Sequence, residues 1–394
     1  MTDFLPPAPW TKREDLASLI VALGEGKARY VGGAVRDTLL GKTIHDVDCA
    51  TVLMPHAVID RCGKAGIKTV PTGIDHGTVT AVLPQGNVEI TTLRRDVSTD
   101  GRRATVTFAA EWHEDAARRD FTMNALYADP QTLEITDFFG GLDDLSARRV
   151  RFIGNAAERI REDHLRILRY FRFQARFGDA PDPEAIDACR DLAHTLKGLS
   201  RERVAMEIFA ILTLPHPLDA IYLMQRTDVL PVILPETTKH ELQQFERLLV
   251  SEEHNAINAD PVRRLGALLP AMPSVAEDVA ARLRLSKKHR ARLVCMAARE
   301  PQDAQSPRQV AYSEGLECAR DRLLIAGADI AELEGWEVPR FPLKGREIVA
   351  RGVAAGPEVA RIMQAIERHW MAEGFPDGNR VNALLLAELG RRGT

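Results

Sequence analysis

The periodicity of this chain changes near Gly154, and that change constrains the fold more than any other feature. Upstream, ARYVGG reads as a strand running into a glycine turn, and AVRDTLLG as a short helix. HDVDCAT, KTVPTG, GTVTAVLP, NVEITTL and ATVTF carry β-branched residues with polar interruptions and read as strands. PHAVIDRCGKAG and EDAARRDFTMNAL predict short helices between them. The fold class is therefore α+β, on a mixed or mostly antiparallel sheet. Downstream the strand-like runs stop. ERIREDHLRILRYFRFQARFG, RERVAMEIFAILTL, HELQQFERLLV, PVRRLGALL and VARIMQAIERHWMAEGF have helical spacing. They are punctuated at Pro181, Pro183, Pro215, Pro235, Pro301, Pro339 and Pro342. That half predicts an all-helical region without a repeat of fixed period.

A charged fraction of 27% against 45% hydrophobic residues excludes a disordered or low-complexity chain. The 394 residues allow several domains, each able to bury a core. No run approaches the ~20 apolar residues of a membrane helix. MTDFLPPAPWTKREDL lacks the basic-then-apolar order of a signal peptide. A cytoplasmic protein with no membrane partner is expected. Cys49, Cys62, Cys189, Cys295 and Cys318 form no C-x-x-C pair, which argues against a disulfide scaffold or zinc ribbon and fits a reducing compartment. A net charge of −4 argues against a nucleic-acid coat but leaves local basic patches open.

The sharpest constellation is YVGGAVRDTLLGKTIHDVDCAT. Asp46 and Asp48 are two apart in a predicted strand, so both carboxylates share one face. Two hard oxygen donors aimed at one point suit Mg²⁺, which fills its shell with water and substrate phosphates. Gly32 and Gly33 precede a helix and let backbone N–H groups approach a triphosphate. A bare D-x-D is more often a solvated strand face. The whole pattern G-G-x-V-R-D-x-L-L-G-x-x-x-x-D-x-D-x-x-T leaves that reading little room. Glu89 is either a third catalytic carboxylate or a half-exposed strand residue. Arg36 either steadies phosphates or makes a structural salt bridge near Asp37.

These residues resemble motif A of the class II nucleotidyltransferases, the tRNA CCA-adding enzymes and bacterial poly(A) polymerases. PTGIDHGTVTAV and VEITTLRRD look like the family's core strands. Arg118-Arg119-Asp120 resembles motif B, and DFFGGLDDLSARRVRFIG motif C. Glu162-Asp163-His164-Leu165-Arg166 matches E-D-x-x-R, motif D, and SRERVAMEI resembles motif E. The resemblance covers about residues 25–210. It implies a polymerase-β-like nucleotidyltransferase palm, or head, over 1–145. An all-helical neck over 146–210, body over 211–300 and tail over 301–394 would follow. It implies addition or repair of the 3′-terminal CCA of tRNA from CTP and ATP, with Mg²⁺ on Asp46 and Asp48 and release of pyrophosphate. Poly(A) polymerases of the family usually carry a basic G-R-R-F-x-L-x-H-V stretch after the D-x-D strand. GIKTVPTGIDHGTVTAV stands there instead, which favours CCA addition. DVSTDGRR, residues 96–103, reads as a mobile polar loop. A loop here is associated in the family with the switch from C to A, so its presence favours complete CCA addition. An A-only enzyme stays open, and a non-catalytic RNA-binding protein is disfavoured by the intact acids. No H…HD…D constellation predicts a fused phosphohydrolase.

Asp163 and Arg166 are three apart, which on a helix puts them on one face. Aspartate only accepts hydrogen bonds and arginine only donates them. Cytosine and adenine both present an amino donor beside a ring-nitrogen acceptor, so the pair fits either. Guanine and uracil present the opposite edge. Leaving buried groups unpaired costs about 1–3 kcal/mol each, enough to reject them. Taken alone, the two would more often form a surface ion pair. Arg119 and Asp120 resemble the family's ribose-contacting pair, and Asp120 is also a good N-cap before FTMNAL. Arg169 is assigned to the nucleotide with them, and Asn124 to a structural role. Two stretches are arginine-rich: residues 150–176, and ARLRLSKKHRAR at 281–292. Such runs can track a phosphate backbone, although a solvated helix face is commoner. Arg284, Lys287 and Lys288 are the candidate contacts to the acceptor stem and 3′ end of tRNA. Phe171 and Phe173 are read as core rather than base-stacking.

Overall fold

The β-branched runs of the first half build one sheet. The strands are β1 (Ala28–Val31), β2 (Val47–Thr51), β3 (Lys68–Gly73), β4 (Thr78–Val82) and β5 (Val88–Thr92). A hairpin follows, β6 (Arg94–Asp100) and β7 (Arg103–Phe108), then β8 (Leu126–Ala128) and β9 (Ile135–Asp137). The coordinates are a computed structural model that describes residues 3–44, 46–100, 103–108 and 111–391, with 95–100 and 103–107 as backbone only. The seven-stranded sheet has the order β3-β4-β5-β2-β1-β8-β9. It is mixed, because β2 and β5 run parallel while the other neighbours run antiparallel. The N-terminal segment covers one edge: Leu5 N–H donates to Leu133 O at 2.8 Å and Ile135 N–H to Asp3 O at 2.8 Å. Pairing an edge removes a template for aggregation.

Residues 96–100 and 103 correct the loop expectation. They belong to the β6–β7 ladder, whose register runs from Arg94↔Phe108 to Asp100↔Arg103. Residues 101 and 102 lie outside the described residues.

Helices α2 (Gly33–Leu39) and α3 (Pro55–Lys64) pack on the sheet, α1 (Glu14–Leu23) packs on α3, α4 (Trp112–Ala117) on β6, and α5 (Gly141–Ser146) on the turn at Thr122–Asn124. The predicted helix over EDAARRDFTMNAL is shorter than expected. It ends at Ala117, a 3₁₀ turn covers Thr122–Asn124, and Leu126 already belongs to β8. After Ile153 the described residues form helices only. In the unit Met1–Pro235 these are α6 (Ala156–Glu162), α7 (Arg166–Phe177), α8 (Pro183–Leu192), α9 (Arg201–Leu212), α10 (Leu218–Arg226) and α11 (Val229–Ile233). The apolar face of α7 supplies Tyr170, Phe171, Phe173 and Phe177 to a cluster with Phe121 and Phe152. Phe171 and Phe173 are thus core, as their spacing predicts.

The second unit is Glu236–Thr394. It holds α12 (Lys239–His254), α13 (Pro261–Ala267), α14 (Pro273–Arg282), α15 (Lys287–Ala297), α16 (Pro307–Glu314), α17 (Leu316–Ala326), α18 (Gly345–Val349), α19 (Pro357–Ala372) and α20 (Gly378–Gly390). Trp370, Ile362, Ile366, Val381 and Leu385 centre its last core cluster. A Cys295–Cys318 disulfide links α15 to α17, while Cys49, Cys62 and Cys189 are buried thiols. The spacing of the cysteines gave no sign of that bond. None of the described helices is long and apolar enough to cross a membrane.

Candidate active site

β2 and β5 set the acids. Their parallel register pairs Val47 with Val88 and Asp48 with Glu89. Val47 and Cys49 point into the core, so Asp46 and Asp48 take the opposite face. Asp46 and Glu89 are exposed and Asp48 is half-buried. No described residue gives any of the three a hydrogen bond or an ion pair. Burial pushes the Asp48 carboxyl up, Glu89 and Asp46 push it further, and Arg119 opposes them. Among the described residues no three metal-ligating side chains converge on one point. Glu89 neighbours Asp48 across the β2–β5 register.

The glycine turn leads into α2. Gly32 has φ 71° and ψ −124°, a conformation closed to residues with a Cβ. Arg36, 5% exposed, is committed inward. Its Nε donates to Asp37 Oδ1 at 2.7 Å and its Nη1 to Asn124 Oδ1 at 2.5 Å. Its guanidinium also lies 4.3 Å from the Phe177 ring centroid. Of its two sequence readings, the structural one describes this geometry.

Arg119 and Asp120 are adjacent but serve different networks. Arg119 Nη2 donates to Asp115 Oδ2 at 3.1 Å and its Nε to the Tyr127 hydroxyl at 3.1 Å. The Tyr127 hydroxyl donates to Asp115 Oδ2 at 2.7 Å. Burial opposes ionisation of Asp115, but Arg119, Arg118 and Tyr127 outweigh it and hold the carboxyl at about 2. Asp120 Oδ2 accepts from Arg169 Nε at 2.8 Å and Nη2 at 2.5 Å. Its Oδ1 accepts from Asn124 Nδ2 at 2.9 Å. Burial raises the Asp120 carboxyl, yet Arg169 and Asn124 bring it below the usual range. The N-cap reading of Asp120 is corrected, because Phe121 precedes the 3₁₀ turn and Asp120 caps nothing beyond the Phe121 N–H. Asn124 is structural as expected, since it joins Arg36 to Asp120.

The E-D-x-x-R segment is not one helix. α6 ends at Glu162, Asp163 is extended at φ −149°, and α7 starts at Arg166. Asp163 and Arg166 therefore do not share a helix face, and each has its own partners. Asp163 Oδ1 accepts the Leu165 N–H at 3.1 Å and Oδ2 accepts from Arg203 Nη2 at 2.7 Å. Arg166 Nη1 donates to Glu162 Oε2 at 2.6 Å, and its Nη2 to Arg118 O at 3.0 Å. The second contact ties the helix junction to the segment carrying Arg119.

The arginines of 150–176 are mostly not a phosphate track. Arg151 pairs with Asp144, Arg159 and Arg166 with Glu162, Arg169 with Asp120, Arg172 with Glu207 and Arg176 with Asp37. In the second unit, Arg282 pairs with Glu236, Arg290 with Glu277 and Arg292 with Asp321. Arg284, Lys287 and Lys288 stay exposed around the start of α15. Sequence reasoning missed Asp115, Tyr127, Arg203 and Glu207. The only sign was an acid four residues before Arg119.

The sheet, the acids of β2 and β5 and the glycine turn are those of a nucleotidyltransferase head. Residues 28–151 match the poly(A) polymerase head domain family, and residues 180–241 the probable RNA and SrmB-binding site of polymerase A. The mitochondrial CCA tRNA nucleotidyltransferase 1 of Homo sapiens is 35% identical over 367 residues, 88% of this chain and 83% of its own length. A CCA-adding enzyme of Streptococcus pneumoniae is 44% identical over 191 residues, 48% of this chain and 47% of its own. The crystal structure of the Bacillus stearothermophilus CCA-adding enzyme in complex with CTP covers 96% of this chain and 98% of its own, with TM-score 0.77 and 29% identity. The chain belongs to the CCA tRNA nucleotidyltransferase family, which shares its head domain with poly(A) polymerases. It is a nucleotidyltransferase, and the α+β head followed by helices agrees with the fold its sequence predicts.

Proposed function

We propose that this protein builds and repairs the 3′-terminal CCA of tRNA, adding C, C and A from CTP and ATP without a nucleic-acid template. The observation that carries the chemistry is the pair Asp46 and Asp48, on one sheet face with no hydrogen-bond or ion-pair partner among the described residues. In the reaction the tRNA 3′-hydroxyl oxygen forms a bond to the α-phosphorus. The bond from that phosphorus to the bridging oxygen breaks, and pyrophosphate leaves. Hard carboxylate oxygens suit Mg²⁺, and Asp46 and Asp48 would hold it. When bound it would neutralise triphosphate charge and acidify the attacking hydroxyl. Catalysis by the chain itself is then positioning and charge stabilisation. Glu89 adds negative field beside Asp48. Gly32 and Gly33 let the triphosphate approach the backbone.

Asp163 and Arg166 read the base edge that cytosine and adenine share. Arg119, Asp120 and Arg169 carry the ribose side of the nucleotide pocket, and Arg36 braces them through Asn124. Arg284, Lys287 and Lys288 contact tRNA phosphates near the acceptor end. The head, neck, body and tail division at 145, 210 and 300 and a cytoplasmic location belong to the same proposal.

The test is extension of a tRNA transcript lacking CCA, with Mg²⁺ and with CTP alone, ATP alone or both. Two residues from CTP, a third only with ATP, and then arrest is the expected result. A long A tail from ATP alone would make the protein a poly(A) polymerase. One A added only to a transcript ending in CC would make it an A-adding enzyme.

A further inference from the structure

Helix α9 is absent from the chemistry above, yet it touches the base-reading segment at two points. Arg203 and Glu207 lie four apart on α9 and so share one face. Arg203 Nη2 donates to Asp163 Oδ2 at 2.7 Å. One turn further, Glu207 accepts from Arg172 Nε at 2.7 Å, with Arg169 Nη1 at 3.9 Å. α9 thus offers a cation and then an anion against an anion and then cations on the other side of the contact. A slip of one turn would set like charges together.

The Asp163 carboxylate is held once on each oxygen, by Leu165 N–H and by Arg203. Each carboxylate oxygen can accept more than one hydrogen bond. The two internal bonds therefore fix the plane of the carboxylate and leave lone pairs for an amino donor. Its side chain is 32% exposed and that of Arg203 is 45% exposed, so the pair is open to solvent and adds little to stability.

We propose that Arg203 is a positioning residue for nucleotide choice, orienting Asp163 toward the amino group that cytosine and adenine share. This rests on the reading of Asp163 as a base contact. Without Arg203 the carboxylate rotates about its side-chain bonds, and its remaining lone pairs no longer face the base.

The experiment compares Arg203→Met, Arg203→Lys, Asp163→Asn and the Asp163→Asn/Arg203→Met pair in the full chain. Readouts are kcat and KM for CTP on tRNA lacking CCA, kcat and KM for ATP on tRNA ending in CC, incorporation of UTP and GTP, and the melting temperature. Arg203→Met is expected to raise KM for CTP and ATP about tenfold, with kcat within about twofold and more UTP and GTP incorporated. Arg203→Lys should recover most of the loss. In the Asp163→Asn background Arg203→Met should add nothing, as coupling of the two requires. The melting temperature should stay unchanged, and Arg203→Gln replaces the Met variant if that one does not fold. Unaltered KM and selectivity in Arg203→Met, beside a damaged Asp163→Asn, would overturn the role of Arg203 alone. Wild-type selectivity in Asp163→Asn would overturn the base-contact reading and this proposal together.

Discussion

Two sets of acids in the first unit are treated in opposite ways. Asp115, Asp120 and Asp144 are at most 8% exposed and bonded to arginines. Asp46, Asp48 and Glu89 stand on the sheet with no described partner. Burying a charge is tolerated when it is paired and hydrogen-bonded. The first set therefore reads as scaffold. The second keeps its charge unspent, which is what a site for a cation and a triphosphate requires. The cations divide the same way: Arg36 is consumed inside the head, while Lys287 and Lys288 are exposed at the start of α15.

Four experiments would break or sharpen this contrast. Asp46→Ala or Asp48→Ala should reduce CCA addition below detection in a gel extension assay while tRNA affinity and melting temperature hold. Residual turnover near wild type would place Asp46 and Asp48 with the scaffold. Asp120→Ala should cost stability as well as activity, since it strands Arg169 and Asn124. A loss of about 3–5 kcal/mol is expected in chemical denaturation, as for other broken buried pairs, and a fully stable variant would deny the scaffold role.

Asp115 gives a pH signature. Its carboxyl is depressed from 3.8 to about 2, so its stabilisation is complete above 3.8 and disappears as pH falls through 2. The shift corresponds to about 2 kcal/mol. Wild type and Asp115→Asn should differ in stability at pH 6, and the difference should shrink between pH 3.8 and 2. A gap independent of pH would remove the ion pairs from the account. The smallest effect belongs to the outward cations. Lys287→Ala and Lys288→Ala should each weaken tRNA binding a few-fold and flatten the salt dependence by about one unit of slope. Unchanged salt dependence would take α15 off the RNA surface.

Much of this was legible in the sequence because the signals are local. Asp46 and Asp48 follow from period two, the glycine turn from Gly32-Gly33, and the core role of Phe171 and Phe173 from helical spacing. The break at Asp163 was not, because EDHLR contains no proline or glycine. It is held by contacts distant in sequence, Arg166 to Arg118 O and Asp163 to Arg203. The separate fates of Arg119 and Asp120 were equally hidden, since adjacent residues point apart and their partners come from α4, β8 and α7. The β6–β7 hairpin did carry a local signal: Val97 and Thr99 on one side and Thr105 and Val106 on the other are β-branched. Polarity hid it. α1 also lay outside the sequence reading, although Leu16, Leu19, Ile20 and Leu23 recur at helical spacing and are buried.

Gly141 holds no substrate and titrates nothing. A Cβ there would sit 2.3 Å from the Thr122 carbonyl oxygen, a backbone atom with little freedom to withdraw. Thr122 begins the turn that carries Asn124, and Asn124 links Arg36 to Asp120. A random-mutation screen for inactive clones would therefore return Gly141 alongside Asp46 and Asp48. The hits would separate on soluble yield: the acids would be lost as intact but idle protein, and Gly141 as protein that never accumulates.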